Sequence, residues 1–212
     1  MKGGDAMNNK VYFDQVAPEW DRIRRSFFTD QVREKAYKVA GVQAGRVAAD
    51  LGTGTGFIAE GLIKRGLRVI AVDQSEAMLT EMQKKLGSER VDYHVGGAEK
   101  LPISAETVDY AFANMYLHHV ESPPHAIKEM ARILKPGGKL VITDLDSHTF
   151  DFLRTEQQDR WMGFQRPDVR QWLIDAGLKN VTVDCAGEQC CADSCDGTAR
   201  ASVGIFIACG EK

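Results

Sequence analysis

Past residue 45 the chain repeats one pattern: a short apolar run, a break of glycine or polar residues, then apolar residues on a helical period. The short runs predict strands at 46–50, 67–73, 91–95, 108–114 and 139–144, and the longer stretches predict helices at 57–65, 76–86 and about 124–134. Ser75 stands where a helix N-cap belongs and Gly87 where that helix should stop. Lys135-Pro136-Gly137-Gly138 predicts a turn, since proline fixes one torsion and glycine permits the unusual ones. Strands alternating with helices imply an α/β fold, a parallel sheet with helices on both faces. After Asp146 the pattern weakens to a charged helical stretch near 151–160, a helix near 167–176 ended by Gly177, and strands near 181–185 and 201–209. Ahead of the core, polar residues 1–10 are expected to be loose, and residues 11–40 carry amphipathic helical spacing, so residues 1–40 form a candidate lid on a single domain, 1–212.

Composition narrows the partners. A chain of 212 residues has room for one substantial core. A formal charge of −3 offers no basic field for phosphodiester backbones, so nucleic acid is not expected as a partner. No apolar run approaches the roughly 18 residues that would span a bilayer, and five cysteines, an odd number, fit reduced thiols better than a disulfide framework. The expectation is a cytoplasmic monomer or homodimer acting on a small molecule, with no membrane contact.

Two strand ends carry the chemistry. The first predicted strand runs into Asp50-Leu51-Gly52-Thr53-Gly54-Thr55-Gly56, where glycines allow a tight turn and close approach of a ligand to the backbone. The spacing departs from the G-x-G-x-x-G of dinucleotide sites, and no Lys-Ser or Lys-Thr follows as in a phosphate-cradling loop. Asp73 ends the second strand, where a carboxylate accepts both hydroxyls of a ribose. An acid, a glycine turn and a second acid suit a ligand with an amino group, a ribose and no diphosphate, which is S-adenosylmethionine. An NAD-dependent oxidoreductase would need the missing pyrophosphate spacing.

Residues 13–21 (FDQVAPEWD), DLGTGTG at 50–56, AVDQSEAML at 71–79, AEKLP at 98–102, NMYLHHV at 114–120 and LKPGGKLVITD at 134–144 resemble, in order, segments of the class I S-adenosylmethionine-dependent methyltransferases, especially the small ones similar to ubiquinone and menaquinone biosynthesis methyltransferases. The resemblance implies a Rossmann-like seven-stranded sheet, mostly parallel, with the last two strands as an antiparallel edge hairpin. It implies cofactor contacts from Gly52, Thr53, Gly54, Gly56, Asp73, Gln74, Met78, Ala98, Glu99 and Asn114. Asp50 either meets the methionyl amino group or caps the next helix. Gly97 replaces the Asp that the family commonly carries before Ala98-Glu99. Trp20, in place of the usual Tyr, offers an aromatic face to the sulfonium or packs in the core. His118, His119 and Asp146 are the candidates for a general base, Asp146 from a cluster with Asp144 and His148 any of which could serve, against readings as a structural turn and a solvated loop.

Cys185, Cys190, Cys191 and Cys195 crowd into eleven residues, the last three within a predicted loop, 186–199, that the resemblance puts at the ligand side of the sheet. Their spacing is not that of paired C-x-x-C knuckles. Ordinary thiols are one reading. Another is a soft-ligand site in which Cys190, Cys191 and Cys195 hold a thiol-seeking metalloid such as arsenite as methyl acceptor. The functional expectation is methyl transfer to a small molecule, with metalloid methylation and a non-catalytic cofactor- or metal-binding protein as alternatives.

Overall fold

The computed structural model describes residues 4–212. Seven strands form one sheet: β1 (Val47–Leu51), β2 (Arg68–Asp73), β3 (Val91–Val95), β4 (Val108–Asn114), β5 (Leu134–Leu145), β6 (Lys179–Asp193) and β7 (Arg200–Glu211), in the order β3-β2-β1-β4-β5-β7-β6. The pairs β3-β2, β2-β1, β1-β4 and β4-β5 are parallel, while β7 runs antiparallel to both β5 and β6. The Rossmann-like sheet with its antiparallel edge is therefore as the resemblance implied. Strand order reverses beside β1, and in open α/β sheets that reversal opens a crevice at the carboxyl ends of the strands.

Both faces of the sheet are buried, which explains the near-continuous apolar strands. Alternation sends Val141, Ile205 and Ile207 into one layer with Val32, Tyr37, Phe57 and Leu62, and Leu140, Ile142 and Phe206 into the other with Ile127, Met130, Val169 and Leu173. The first layer rests against α2 (Trp20–Phe27), α3 (Gln31–Ala40) and α4 (Phe57–Lys64); the second rests against α6 (Pro123–Ile133) and α8 (Arg166–Asp175). Ser75 caps α5 (Glu76–Leu86), its hydroxyl accepting from the Met78 N–H at 3.1 Å. No helix among the described residues is long and apolar enough to cross a membrane.

Three expectations need correction. Residues 4–10 belong to helix α1 (Gly4–Val16) instead of a loose tail, and residues 1–3 lie outside the described residues. Lys135-Pro136-Gly137-Gly138 lies within β5, where the register against β4 slips between Val108 and Tyr110, so the turn chemistry makes a bulge. The cysteine-rich segment 186–199 is mostly strand. Gly187, at φ +86°, absorbs a register shift between Cys185 and Gln189, after which Cys190, Cys191, Ala192 and Asp193 pair with Val203, Ser202, Ala201 and Arg200. Only a short turn, in which Asp196 accepts from the Ser194 hydroxyl at 2.6 Å and the Thr198 N–H at 3.0 Å, links the two strands.

Candidate functional site

A cavity of about 520 Å³ opens over the carboxyl ends of β1, β2 and β4, within the usual range for small-molecule sites. At one end stand Gly52, Thr53, Gly54, Asp73, Gln74, Met78, Glu99 and Asn114. Asp73 is fixed on both oxygens, accepting from Gly54 N–H at 2.8 Å and from Ser75 N–H at 2.9 Å. A carboxylate keeps further lone pairs after two such bonds, so Asp73 retains capacity for a diol. Burial raises its pKa. These features fit the adenosyl and ribose parts of the expected cofactor.

Three expected contacts do not reach the cavity. Asp50 turns inward to hold the start of α4, accepting from the Thr53 hydroxyl at 2.6 Å and the Ala59 N–H at 3.0 Å; burial pushes its pKa up to about 7. It is the helix-orienting acid of the two alternatives. Gly56 serves packing, since at φ +86° an added Cβ would come within 2.9 Å of Met82. Ala98 is fully buried beneath the wall.

Tyr116 is a contact that sequence reasoning missed. Met115 adopts φ +50°, and the next residue lays its ring on Gly52, where an added Cβ would collide with it. Its hydroxyl meets the Gln74 side chain and the Ala98 backbone, the group expected to face adenine. Burial raises the phenol's pKa.

Helix α1 covers the cavity, contributing Asn9, Lys10 and Phe13, and is tied to α5 by the Ser75 hydroxyl donating to Asp14 at 2.6 Å. Phe13 stands edge-on to Trp20 (5.4 Å) and to His119 (5.1 Å), so it bridges the cofactor end to the far end. Trp20 lies over the glycine turn, its Nε1 3.3 Å from where a Cβ on Gly54 would stand.

The far end holds His118, His119, Asp159 and Arg160 among Phe27, Phe28, Leu145, Leu153, Cys190 and Ala192. His118 Nδ1 lies 2.7 Å from Asp144 Oδ1 and Nε2 3.5 Å from Asp159 Oδ1. Asp144, wholly buried, also accepts from the backbone N–H groups of Leu117 and Leu145 at 2.8 Å each. Burial alone would lower the pKa of His118, but the two carboxylates outweigh it and raise it to about 9, so an imidazolium sits between two acids at neutral pH. Burial pushes Asp159 up to about 6. His119, lowered by burial and by the His118 charge, stays neutral.

Asp159 was not among the expected catalytic groups. Residues 151–160 were expected to be one helix, but α7 (Asp151–Glu156) stops early. Gln158, at φ +62°, then turns the chain so that Asp159 points inward, and the Arg160 and Trp161 N–H groups donate to His118 O at 3.1 Å. Asp146, by contrast, does not reach the cavity: Arg166 takes both its oxygens at 2.7 Å each, fastening β5 to α8. Ligating atoms of His118, His119 and Asp159 lie within 4.8 Å of one another, close enough for a metal ion. Both nitrogens of His118, however, face carboxylates as an imidazolium's do, and a protonated ring has no lone pair to give.

The thiols do not converge. Cys190 faces the cavity, its pKa pushed up to about 12 by burial, so it is a neutral thiol. Cys191 points to the opposite face beside Ser202, and Cys195 is exposed at the hairpin turn. The soft-ligand set expected from Cys190, Cys191 and Cys195 is not assembled.

Known proteins resemble this chain. The family profile described as "Methyltransferase domain" matches residues 49–142. The demethylmenaquinone methyltransferase of Paenarthrobacter aurescens is 34% identical over 202 residues, covering 80% of this chain and 78% of that one. The biotin biosynthesis bifunctional protein BioHC of Cellvibrio japonicus is 34% identical over 145 residues, 68% of this chain; this chain spans only 28% of that protein. Among solved structures, the putative methyltransferase in complex with the Haloferax volcanii Trm112 methyltransferase activator superposes with a TM-score of 0.75 at 21% identity, covering 94% of this chain and 96% of that one.

Proposed function

We propose methyl transfer to a small organic acceptor as the reaction of this chain, which belongs to the class I S-adenosylmethionine-dependent methyltransferases. One observation carries the reading: a single cavity joins the glycine turn and Asp73 to the Asp159–His118–Asp144 relay. The cofactor supplies a methyl group on a sulfonium, an electrophile with a neutral thioether as leaving group. The protein's part is to align the acceptor, exclude water and receive a proton. Alignment of two reactants contributes roughly 7–11 kcal/mol in well-oriented systems, and the lid residues Phe13 and Trp20 with the far-end walls supply it.

The walls favour a small, largely apolar acceptor, and Asp159 favours one with an acidic O–H, N–H or activated C–H. That proton passes to the Asp159 carboxylate as the methyl group bonds to the acceptor. His118, oriented by Asp144, keeps its charge beside Asp159 and holds the carboxylate ready. A quinol or phenol meets both requirements, and the Paenarthrobacter relative is named for a quinone, demethylmenaquinone, whose reduced form is a quinol.

The test is release of S-adenosylhomocysteine across quinols, phenols, thiols and amines. A quinol or phenol should turn over, with wild-type activity rising as pH passes about 6 while Asp159 ionises. Asp159→Asn should lose about 100- to 10,000-fold in turnover without losing S-adenosylhomocysteine affinity. Full activity in that variant, or turnover confined to thiols, would discard the assignment.

A further inference from the structure

Arg160 is the charge at the acceptor end of the cavity that the reaction above leaves without a task. It follows Asp159 directly, lines the far end and is half-buried. Its backbone is pinned, because its N–H and that of Trp161 both donate to His118 O at 3.1 Å, so the side chain starts from a fixed point beside the relay. Among the described residues its guanidinium has neither a hydrogen-bond partner nor an ion pair. Nε is sealed from solvent, whereas Nη1 and Nη2 are not and keep their N–H groups for a partner from outside the chain.

The neighbouring acids are engaged elsewhere. Asp159 faces His118 Nε2 at 3.5 Å, and Glu156 accepts from the Cys195 N–H at 2.9 Å. The other cations along the cavity already have company: Lys10 pairs with Asp14 at 2.8 Å, His118 lies between two carboxylates, and Arg24 stacks 4.1 Å from the ring of Phe57. A half-desolvated guanidinium with free donors gains most from an anion, and its planar fork matches the two oxygens of a carboxylate. Phe27, Phe28 and Leu153, at the same end of the cavity, give an aromatic ring apolar surface to rest on.

We propose that Arg160 selects an acceptor that carries a carboxylate, a phenolic acid whose hydroxyl faces Asp159 and whose carboxylate takes the terminal nitrogens of Arg160. The inference rests on the reaction proposed above and names the acceptor class within it. A phosphate monoester, with about two charges at neutral pH, would ask for a second free cation, so one guanidinium favours the singly charged carboxylate.

Calorimetry on the full chain saturated with S-adenosylhomocysteine tests the assignment, with the ortho, meta and para hydroxybenzoates, their methyl esters and para-hydroxyphenyl phosphate as probes. An ester keeps the ring and the hydroxyl and removes only the charge. The wild type should prefer at least one acid over its ester by about 10- to 100-fold, the gain from one charged hydrogen-bond set. In Arg160→Gln that preference should shrink to about twofold or less, with S-adenosylhomocysteine affinity retained. Arg160→Lys keeps the charge without the fork and should hold an intermediate preference; it carries the test if Arg160→Gln does not fold. Equal binding of acids and esters by the wild type, binding of neither, or a preference that survives in Arg160→Gln would overturn the proposal. Tighter binding of the phosphate than of every acid would overturn the carboxylate, and lost S-adenosylhomocysteine affinity in Arg160→Gln would assign the guanidinium to the cofactor instead. Each of these failures leaves the proposed reaction standing if neutral phenols still release S-adenosylhomocysteine.

Discussion

Replacing Asp159 with asparagine should strip His118 of its unusual proton affinity, and the effect is measurable without knowing the acceptor. In the wild type, Nε2 lies 3.5 Å from Asp159 Oδ1 and Nδ1 lies 2.7 Å from Asp144 Oδ1, both inside the fold. Two unit charges at the longer distance interact by roughly 5 kcal/mol at an effective dielectric constant of about 20, or about three pKa units. Burial pulls the imidazole the other way. Asparagine at 159 should therefore drop His118 from about 9 to its ordinary 6.5 or below. The same shift appears as stability. A histidine whose folded pKa is raised contributes stability that is complete below pH 6.5 and lost as pH rises through about 9, which here amounts to roughly 3 kcal/mol. Urea unfolding of the wild type should thus weaken by that order between pH 6.5 and 9.5, whereas Asp159→Asn should stay nearly flat. Nuclear magnetic resonance of the His118 ring gives the midpoint directly. A midpoint near 9 that survives in Asp159→Asn, or a wild-type midpoint near 6.5, would refute the relay geometry.

Asp73→Asn keeps the shape but offers an N–H where Gly54 or Ser75 needs an acceptor. With a charged ribose bond also lost, at about 1.5–3 kcal/mol, S-adenosylhomocysteine affinity should fall at least tenfold by calorimetry; a smaller loss would remove Asp73 from the ribose site. Tyr116→Ala should strengthen S-adenosylhomocysteine binding, because the ring lies on Gly52 and its hydroxyl meets the Ala98 backbone that an adenine would use. Weaker binding would make that ring part of the adenosine wall instead.

What the sequence disclosed, and what it hid, follows from the range of each interaction. Asp73 was legible because its place is set by neighbours in sequence: β2 ends there, and Ser75 N–H two residues on fixes one oxygen. The glycine turn was legible for the same reason, though Gly56 proved to serve packing against α5 and not the ligand. Asp146 looked equally eligible as a base and was excluded by Arg166, an arginine twenty positions away that no local pattern connects to it. The cysteine segment read as a loop because its glycine and acids outweighed its apolar residues. Yet Gly187 confines the irregularity to one bulge, and past it Cys190 and Ala192 alternate inward while Cys191 and Asp193 face outward.

Asp159 shows the limit most clearly. In sequence it is one acid in a charged run, Glu156-Gln157-Gln158-Asp159-Arg160, with the helical period of a solvated face. Its burial depends on Gln158 adopting φ +62° and on the backbone of Arg160 and Trp161 docking on His118 O. The indole of Trp161 adds a third tie, its Nε1 donating to Val120 O at 2.9 Å. These bonds reach back some forty residues to the turn after β4, so the acid and the histidine form one relay only when the two segments meet. A base assigned to a lone strand-end histidine misses half of that relay. The carboxylate at its Nε2 lies on a different segment, brought across by the turn that follows α7.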